Sequence, residues 1–375
     1  MHQLLIFGNG FDLSCGLKSR FSDFFGDRIN MVDNLPEHYD ELTAWDLILR
    51  KLKNAGDANW CDIEHEVARW VYGTYENERV FNKRVIADCC WQWSQNIAMY
   101  GKGEFETDSS VCHEPELYNF VRFRGCDNPT DENQFAIFLL RELHRLEDYF
   151  AAYLSDQLEQ VGNDYIEKAE RLYFAIQNDG FDGDSGNAAL EYGSAAVLDF
   201  NYTSPFSVTL SDVNVSIRNI HGSLNNRNTV IGIDGHLAME DKFARPFTKA
   251  YRIMEDATRR DLYAAKLAYQ YDPYEENTRT GFIKVFGHSL ADADYSYFQA
   301  IFDTVDLYAS GTKLVFYYAV YGGKDENAIR EELCLNVANL LTSYGQTLDN
   351  KDHGRNLMTR LILENRLSIR KLPEW

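Results

Sequence analysis

The chain has 375 residues, 45% of them hydrophobic and 14% aromatic, enough apolar surface to offset the entropy of ordering the backbone, which excludes an intrinsically disordered protein. Its length exceeds one typical domain, so a core carrying large insertions is expected. Thirty-seven basic against 58 acidic side chains leave a formal charge of -21, which opposes non-specific attraction to nucleic acid or an anionic membrane.

The chain enters directly on an apolar run, Leu4 to Phe7, with no charged leader or cleavage site, so no signal peptide is expected. That run reads as a strand, and Gly8-Asn9-Gly10-Phe11-Asp12-Leu13 follows it. Glycines there let the backbone turn sharply and approach a ligand closely, while N–H groups at the next helix start attract anions. As a dinucleotide fingerprint the loop is incomplete: Leu13 stands at the third glycine position, and no acid-ended second strand follows. An ordinary strand-to-helix turn is the competing reading, with Asn9 and Asp12 favouring ligand contact. Lys18 and Arg20 just beyond fit a phosphate or a solvated helix face equally well. Cys15 reads as a buried small hydrophobe.

A long stretch of helical periodicity comes next, over Leu42 to Leu52, Glu64 to Val71, Val80 to Trp93 and Phe135 to Leu158. Breakers at Gly101-Lys102-Gly103, Cys126 to Pro129 and Asp179 to Gly183 divide it. Within it, Trp60-Cys61-Asp62-Ile63-Glu64-His65-Glu66 gathers carboxylates, with Asp62 and Glu66 on one helix face. A metal-dependent nuclease or phosphohydrolase would use such a pair, but solvated charge explains it better and no metal is predicted. Seven cysteines at irregular spacing, with Cys89 and Cys90 adjacent, form neither a disulfide framework nor a zinc pattern and point to a reducing compartment.

Strands resume at Ala195 to Phe200, Val213 to Ile220, Thr229 to Ile233, Phe282 to Phe286 and Lys313 to Tyr318, short apolar runs of the kind buried parallel strands give. A second helical block covers about Lys242 to Gln270, and final helices cover Glu326 to Leu341 and Arg355 to Leu367. Three strand ends carry polar residues: Asn201-Tyr202-Thr203, His221-Gly222-Ser223 and Gly287-His288-Ser289. In an open α/β sheet ligands sit beyond the carboxyl ends of the strands. A rim histidine there, His221, titrates near neutrality and can take a proton from water. Taken singly, Asn201 reads as an Asx turn and Ser289 or Asp292 as a helix cap. Together with the first loop they converge on one rim.

The expected fold is therefore α/β and Rossmann-like, a mostly parallel sheet with an all-helical insertion after the first strand. Residues 1–30 and 190–375 are expected to form the nucleotide-binding core, with a smaller insertion at about 237–275, and residues 31–189 the helical insertion domain. No run approaches the ~20 apolar residues of a membrane span, and a cytoplasmic location without membrane partners is expected.

The ordered set Ile6 to Leu13, Gly16-Leu17, Phe21 to Phe24, Trp60 with Asp62 to Glu64, Phe200 to Thr203, Ile220 to Gly222 and Gly287 to Leu290 resembles the AbiH-type bacteriophage abortive-infection proteins. More distantly the same order is similar to the sirtuin-like NAD-binding fold, although this chain has no zinc-binding Cys quartet and no Gly-Ala-Gly first loop, which points away from protein deacylation. The resemblance implies an antiphage effector that binds and hydrolyses NAD, or a related nucleotide, at the nicotinamide–ribose bond. It implies that Asn201 orients ribose and water, that His221 is the general base, and that Gly287, His288 and Ser289 meet the adenosine end. Asp12 would stabilise charge on the sugar, and Gly8, Asn9, Gly10, Phe11, Thr203 and Gly222 would complete the NAD pocket. A phage or host trigger protein and self-association are the expected partners. A nucleotide-sensing module without catalysis remains the alternative from a different class.

Overall fold

The computed structural model describes residues 2–32, 39–76, 79–82, 84–100, 115–180, 195–206, 216–255, 280–321 and 323–375. It divides into two compact units. The first comprises Met1–Lys18, Ser155–Asn228 and Arg260–Trp375, and the second Ser19–Leu154 and Thr229–Arg259. These limits differ from the expected ranges in three places: residues 155–189 belong with the first unit, and residues 19–30 and 229–259 with the second.

The strands in chain order are β1 (His2–Phe7), β2 (Thr74–Glu76), β3 (Arg79–Asn82), β4 (Ala195–Asp199), β5 (Ser216–Asn219), β6 (Thr280–Phe286), β7 (Lys313–Tyr318) and β8 (Leu367–Lys371). In the first unit six of them form one parallel sheet in the order β5-β4-β1-β6-β7-β8. Counted along the chain within that sheet, the order is 3-2-1-4-5-6, that of a doubly wound Rossmann-like sheet. The order reverses between β1 and β6, where the register runs from Gln3 opposite Phe282 to Phe7 opposite Phe286.

Burial on both faces explains why β1, β4, β6 and β7 are mainly apolar runs rather than alternating ones. Leu4 and Ile6 of β1 join a core with Phe298, Ile301, Leu340 and Leu361, from helices Tyr295–Thr304, Glu326–Thr347 and Lys351–Leu363. Leu5 and Phe7 point the other way, to Ala169, Leu172, Tyr173 and Ile176 of helix Asn163–Asn178. A buried lysine in β6 secures that helix. Lys284 Nζ donates to the carbonyls of Ile176, Gln177 and Asp179, each at 2.8 Å, a cation on the negative end of the helix. Burial pushes its pKa down to about 7.

The second unit is mainly helical, with β2 and β3 forming an antiparallel hairpin. Trp45, Trp70, Trp93 and Phe135 pack edge-on or tilted, with ring centroids 5.0 to 6.3 Å apart, and all four are fully buried. Helix Ala44–Asn54 starts on a capping box between Thr43 and Asp46, and Arg28 closes on Asp46 at 2.6 Å.

Four expectations change. Arg79–Asn82 is a strand and the following helix starts at Val85, so the helix read over Val80 to Trp93 loses its first turn. Thr229 to Ile233 is not a strand of the sheet; Ile233 makes an isolated bridge to Thr248, within the second unit. The last helix stops at Leu363 and the chain returns as β8. The block from Lys242 is a 3-10 turn, Arg245–Phe247, and a short helix, Lys249–Glu255; its remainder, with residues 213–215 and the breakers at 101–103 and 181–183, lies outside the described residues. Cys15, Cys61, Cys90, Cys126 and Cys334 are free thiols and Cys89 is disulfide-bonded, a departure from a fully reduced chain. Among the described residues no helix is long and apolar enough to cross a membrane.

Candidate functional site at the switch point of the sheet

Two loops meet where the strand order reverses. Gly8 N donates to Phe286 O at 3.0 Å and Gly10 N to Gly287 O at 2.8 Å. A Cβ on Gly8 would lie 2.6 Å from His288 Cα, one on Gly10 2.5 Å from Gly287 Cα, and one on Gly287 2.5 Å from Phe11 N. All three glycines are therefore required by backbone against backbone, and Gly287 also by its φ of +74°. The glycines read from the sequence as a ligand approach first serve this contact. The Gly8, Gly10 and Phe11 N–H groups are spent inside the fold, Phe11 N on Gly8 O, so the expectation that they are free for an anion is corrected. Phe11 is a core residue stacked on Phe7, centroids 4.4 Å apart. Asn9 is the exposed residue of the loop, and Lys18 and Arg20 are exposed as well.

Asp12 is buried beneath this loop and accepts from Tyr165 Oη at 2.8 Å and from Thr203 Oγ1 at 2.9 and 3.1 Å. Burial pushes its carboxyl up to about 6, against the lowering effect of the two hydroxyls. Beside it Asp199, the last residue of β4, is raised well above the usual carboxylate range by burial, with the Asp12 charge adding to it. Asp199 Oδ1 accepts from the Asn201 backbone N–H at 3.0 Å and from Asn201 Nδ2 at 2.8 Å. Asn201 Nδ2 also donates to Gly8 O at 3.2 Å, tying the end of β4 to the first loop. Both of its amide protons are thus used, and contact with a ligand falls to Oδ1. Asn219, ending β5, donates to the carbonyls of Asn201 and Thr203 and holds the loop after β4 in place.

The histidines stand together. His221 Nε2 lies 3.0 Å from Asp294 Oδ1, an ion-pair distance without hydrogen-bond alignment, and His288 Nε2 lies 3.3 Å from Asp294 Oδ2. One carboxylate therefore faces two imidazoles from different strand ends. Phe200 stands edge-on to both rings, at 5.3 and 4.6 Å, and Tyr202 and Tyr297 flank His221 at 6.5 and 5.7 Å. Leu290 N donates to His288 Nδ1 at 2.9 Å, and Leu290 holds a φ of +58° to do so, a conformation that costs a branched residue of order 1 kcal/mol. Asp294 occupies the N-cap position of helix Tyr295–Thr304 but makes no side-chain cap bond; it forgoes about 1 kcal/mol of capping and turns to the histidines.

Of the residues singled out in the sequence, Asn201, Thr203, His221 and Gly222 are buried, His288 is partly buried, and Ser289 is exposed, with its Oγ accepting from Ala291 N at 3.4 Å. Ser289 and Asp292 do not cap the helix that follows. Asp294, Tyr165 and Asp199, which the sequence does not single out, join the cluster. Asp294 had a signal, the second acid of Asp292-Ala293-Asp294 after Gly-His-Ser; Tyr165 had none, since 153 residues separate it from Asp12. The acidic cluster of the second unit resolves into separate structural partners: Asp62 caps His65 N, Glu64 meets Lys249 at 2.9 Å, and Glu66 meets Arg69 at 2.7 Å.

Sheet order and rim together define a doubly wound α/β protein with a polar cluster at its switch point. The family model for bacteriophage abortive infection AbiH matches residues 4–318, and the chain belongs to that family. No curated protein and no solved structure matches it.

Proposed function

We propose that this abortive-infection protein binds NAD at the switch-point rim and hydrolyses its nicotinamide–ribose bond. The observation that carries the reading is that Asn201, His221 and His288 follow the carboxyl ends of β4, β5 and β6, beside the reversal between β1 and β6, the place where doubly wound sheets take nucleotides. The resemblance to sirtuin-like NAD-cleaving domains points to the same reaction. In it the C1′–N bond breaks with its electron pair passing to the pyridine nitrogen, so nicotinamide leaves neutral, and a water oxygen bonds to C1′. His221 takes the proton that the water loses and passes it to solvent, while Asn201 Oδ1 orients the water or the ribose hydroxyls. Asp12 acts from below, holding Thr203 and Tyr165 rather than meeting the sugar. With the Gly8, Gly10 and Phe11 N–H groups committed, Asn9 is the first-loop residue exposed to a ligand.

Purified protein incubated with NAD, alone and with lysate of phage-infected cells, is expected to release nicotinamide. His221→Ala and Asn201→Ala are each expected to slow release by about 10²-fold or more in protein that circular dichroism shows to be folded. Saturable NAD binding without release under every condition supports a sensing module instead, and an unchanged rate in both variants removes these residues from the chemistry.

A further inference from the structure

Buried polar groups are matched donor to acceptor, and at the end of β4 that matching fixes which face of an amide meets a ligand. We propose that Asp199 is a positioning residue that locks the Asn201 amide with Nδ2 inward and Oδ1 left to the ligand, so that the ground between β1 and β4 is a subsite for a sugar hydroxyl and not for a phosphate. The ligand class rests on the reading of the rim as the NAD site; the amide orientation does not.

The frame around Asn201 is backbone. Asp199 lies between Phe7 of β1 and Asn219 of β5 in the sheet register. Phe200 N donates to Phe7 O at 2.8 Å and Ile220 N to Asp199 O at 2.7 Å. Asn219 Nδ2 closes the loop on the carbonyls of Asn201 and Thr203 at 2.8 and 2.7 Å. Within that frame the surroundings of the Asn201 amide decide which way it is turned. Nδ2 meets two oxygens, Asp199 Oδ1 at 2.8 Å and Gly8 O at 3.2 Å. Turned over, Oδ1 would face a carboxyl and a carbonyl, acceptor against acceptor with no proton between them. Asp199 Oδ1 also takes the Asn201 backbone N–H at 3.0 Å, so one atom holds both main chain and side chain. Burial raises the Asp199 carboxyl, and a proton it takes goes to Oδ2, because two donors already face Oδ1.

The polarity of the subsite follows by count. Both Nδ2 protons are spent, so what Asn201 offers a ligand is Oδ1, an acceptor. The first loop withholds the donors that a phosphate needs, since the N–H groups of Gly8, Gly10 and Phe11 go to Phe286 O, Gly287 O and Gly8 O. Beneath stand the buried carboxyls of Asp12 and Asp199, whose charge disfavours a second anion nearby. A hydroxyl brings its own proton to Oδ1, whereas a phosphate oxygen would meet acceptors and acids. In an ordinary dinucleotide fold the pyrophosphate lies on the first-loop N–H groups. Here two of those groups are bonded to the end of β6 and the residue after it, and the same place recognises the hydroxyl-bearing ribose.

The test is ¹H–¹⁵N correlation of the side-chain amides of asparagine-labelled full-length protein, with Asn201 assigned from Asn201→Ser. Expected in the wild type are Asn201 amide protons that exchange with solvent about 10-fold or more slowly than those of an exposed asparagine. Asp199→Leu removes the acceptor and is expected to lose most of that protection, while Asp199→Asn, which keeps a carbonyl oxygen, is expected to retain it. Free exchange in the wild type, or undiminished protection in folded Asp199→Leu, overturns the positioning role. The ligand arm needs no variant. NAD and D-ribose are each expected to shift the Asn201 amide signals and inorganic pyrophosphate to leave them in place. An NAD analogue whose nicotinamide ribose lacks both hydroxyls is expected to bind about 10²-fold more weakly than NAD. Shifts caused by pyrophosphate, none caused by either NAD or ribose, or an analogue that binds as well as NAD, overturn the hydroxyl subsite. If NAD or ribose shifts Asn201 yet NAD is never cleaved, the proposed hydrolysis falls and the subsite stands.

Discussion

Buried carboxylates are handled differently in the two units. In the second unit acids are met by cations: Asp46 by Arg28, Glu66 by Arg69, Glu142 by Arg145 and Glu147 by Arg252. At the rim of the first unit Asp12 is met by hydroxyls, Asp199 by an amide and Asp294 by two imidazoles. A guanidinium pins a carboxylate and gives geometry. Hydroxyl and amide partners do not offset burial, so Asp12 and Asp199 are both held above the usual carboxylate range, a property that collects at functional sites. Glu147 marks the limit of the contrast, since burial raises its pKa even beside Arg252.

The largest effect should come from breaking a pinned pair. Arg252→Ala leaves Glu147 buried, with Oε1 still accepting from Ile231 N; urea unfolding is expected to show a loss of about 3–5 kcal/mol, without change in the His221 and His288 imidazole signals. A change in those signals would mean that the two units do not separate these tasks. Next is Gly287→Ala, which sets a Cβ against Phe11 N and strains a φ of +74°. It is expected to cost about 3 kcal/mol and to disturb His288, the residue that follows it. A variant of wild-type stability would mean that the loops meet more loosely than the glycines require.

The smallest effect sharpens the comparison through pH. The folded pKa of Asp12, about 6, lies above its ordinary value of 3.8, so between those values the folded state holds a proton that the unfolded chain has released. Its contribution therefore favours folding at low pH and is lost as pH rises through about 6. Asp12→Asn should remove that penalty, and the difference in unfolding free energy from wild type should grow in the variant's favour from pH 4 to pH 7, up to about 2–3 kcal/mol. Asp199 sharpens the effect, because removing the Asp12 charge also relieves it. A difference that shrinks as pH rises would place Asp12 among the pinned acids.

Much of the sheet was legible because β1, β4, β6 and β7 are buried on both faces and read as mainly apolar runs, β6 broken only by the buried Lys284 within Phe282 to Phe286. β8 was not: Leu-Ser-Ile-Arg-Lys at a sheet edge alternates apolar and polar residues directly after a helix and extends the helical pattern by eye. Thr229 to Ile233 misled for the opposite reason, an apolar run buried without sheet partners. At the site, local spacing carried Asn201 and His221, each at a strand end. The roles of the first-loop glycines and of Tyr165 depend on partners more than 150 residues away in the chain, which no local pattern encodes.

The central position of β1 bears on when the protein acquires its site. This strand is made first yet lies between β4 and β6, and Gly8 meets Asn201, 193 residues further along. At ribosomal rates of about 5–20 residues per second, β1 waits on the order of ten to forty seconds for its first neighbour and longer for β6. Until then its apolar faces need protection by chaperones or by neighbouring chain, and long-range closure should make folding slow. The rim of Asp12, His221, His288 and Asp294 cannot assemble on a nascent chain that has not yet passed residue 294.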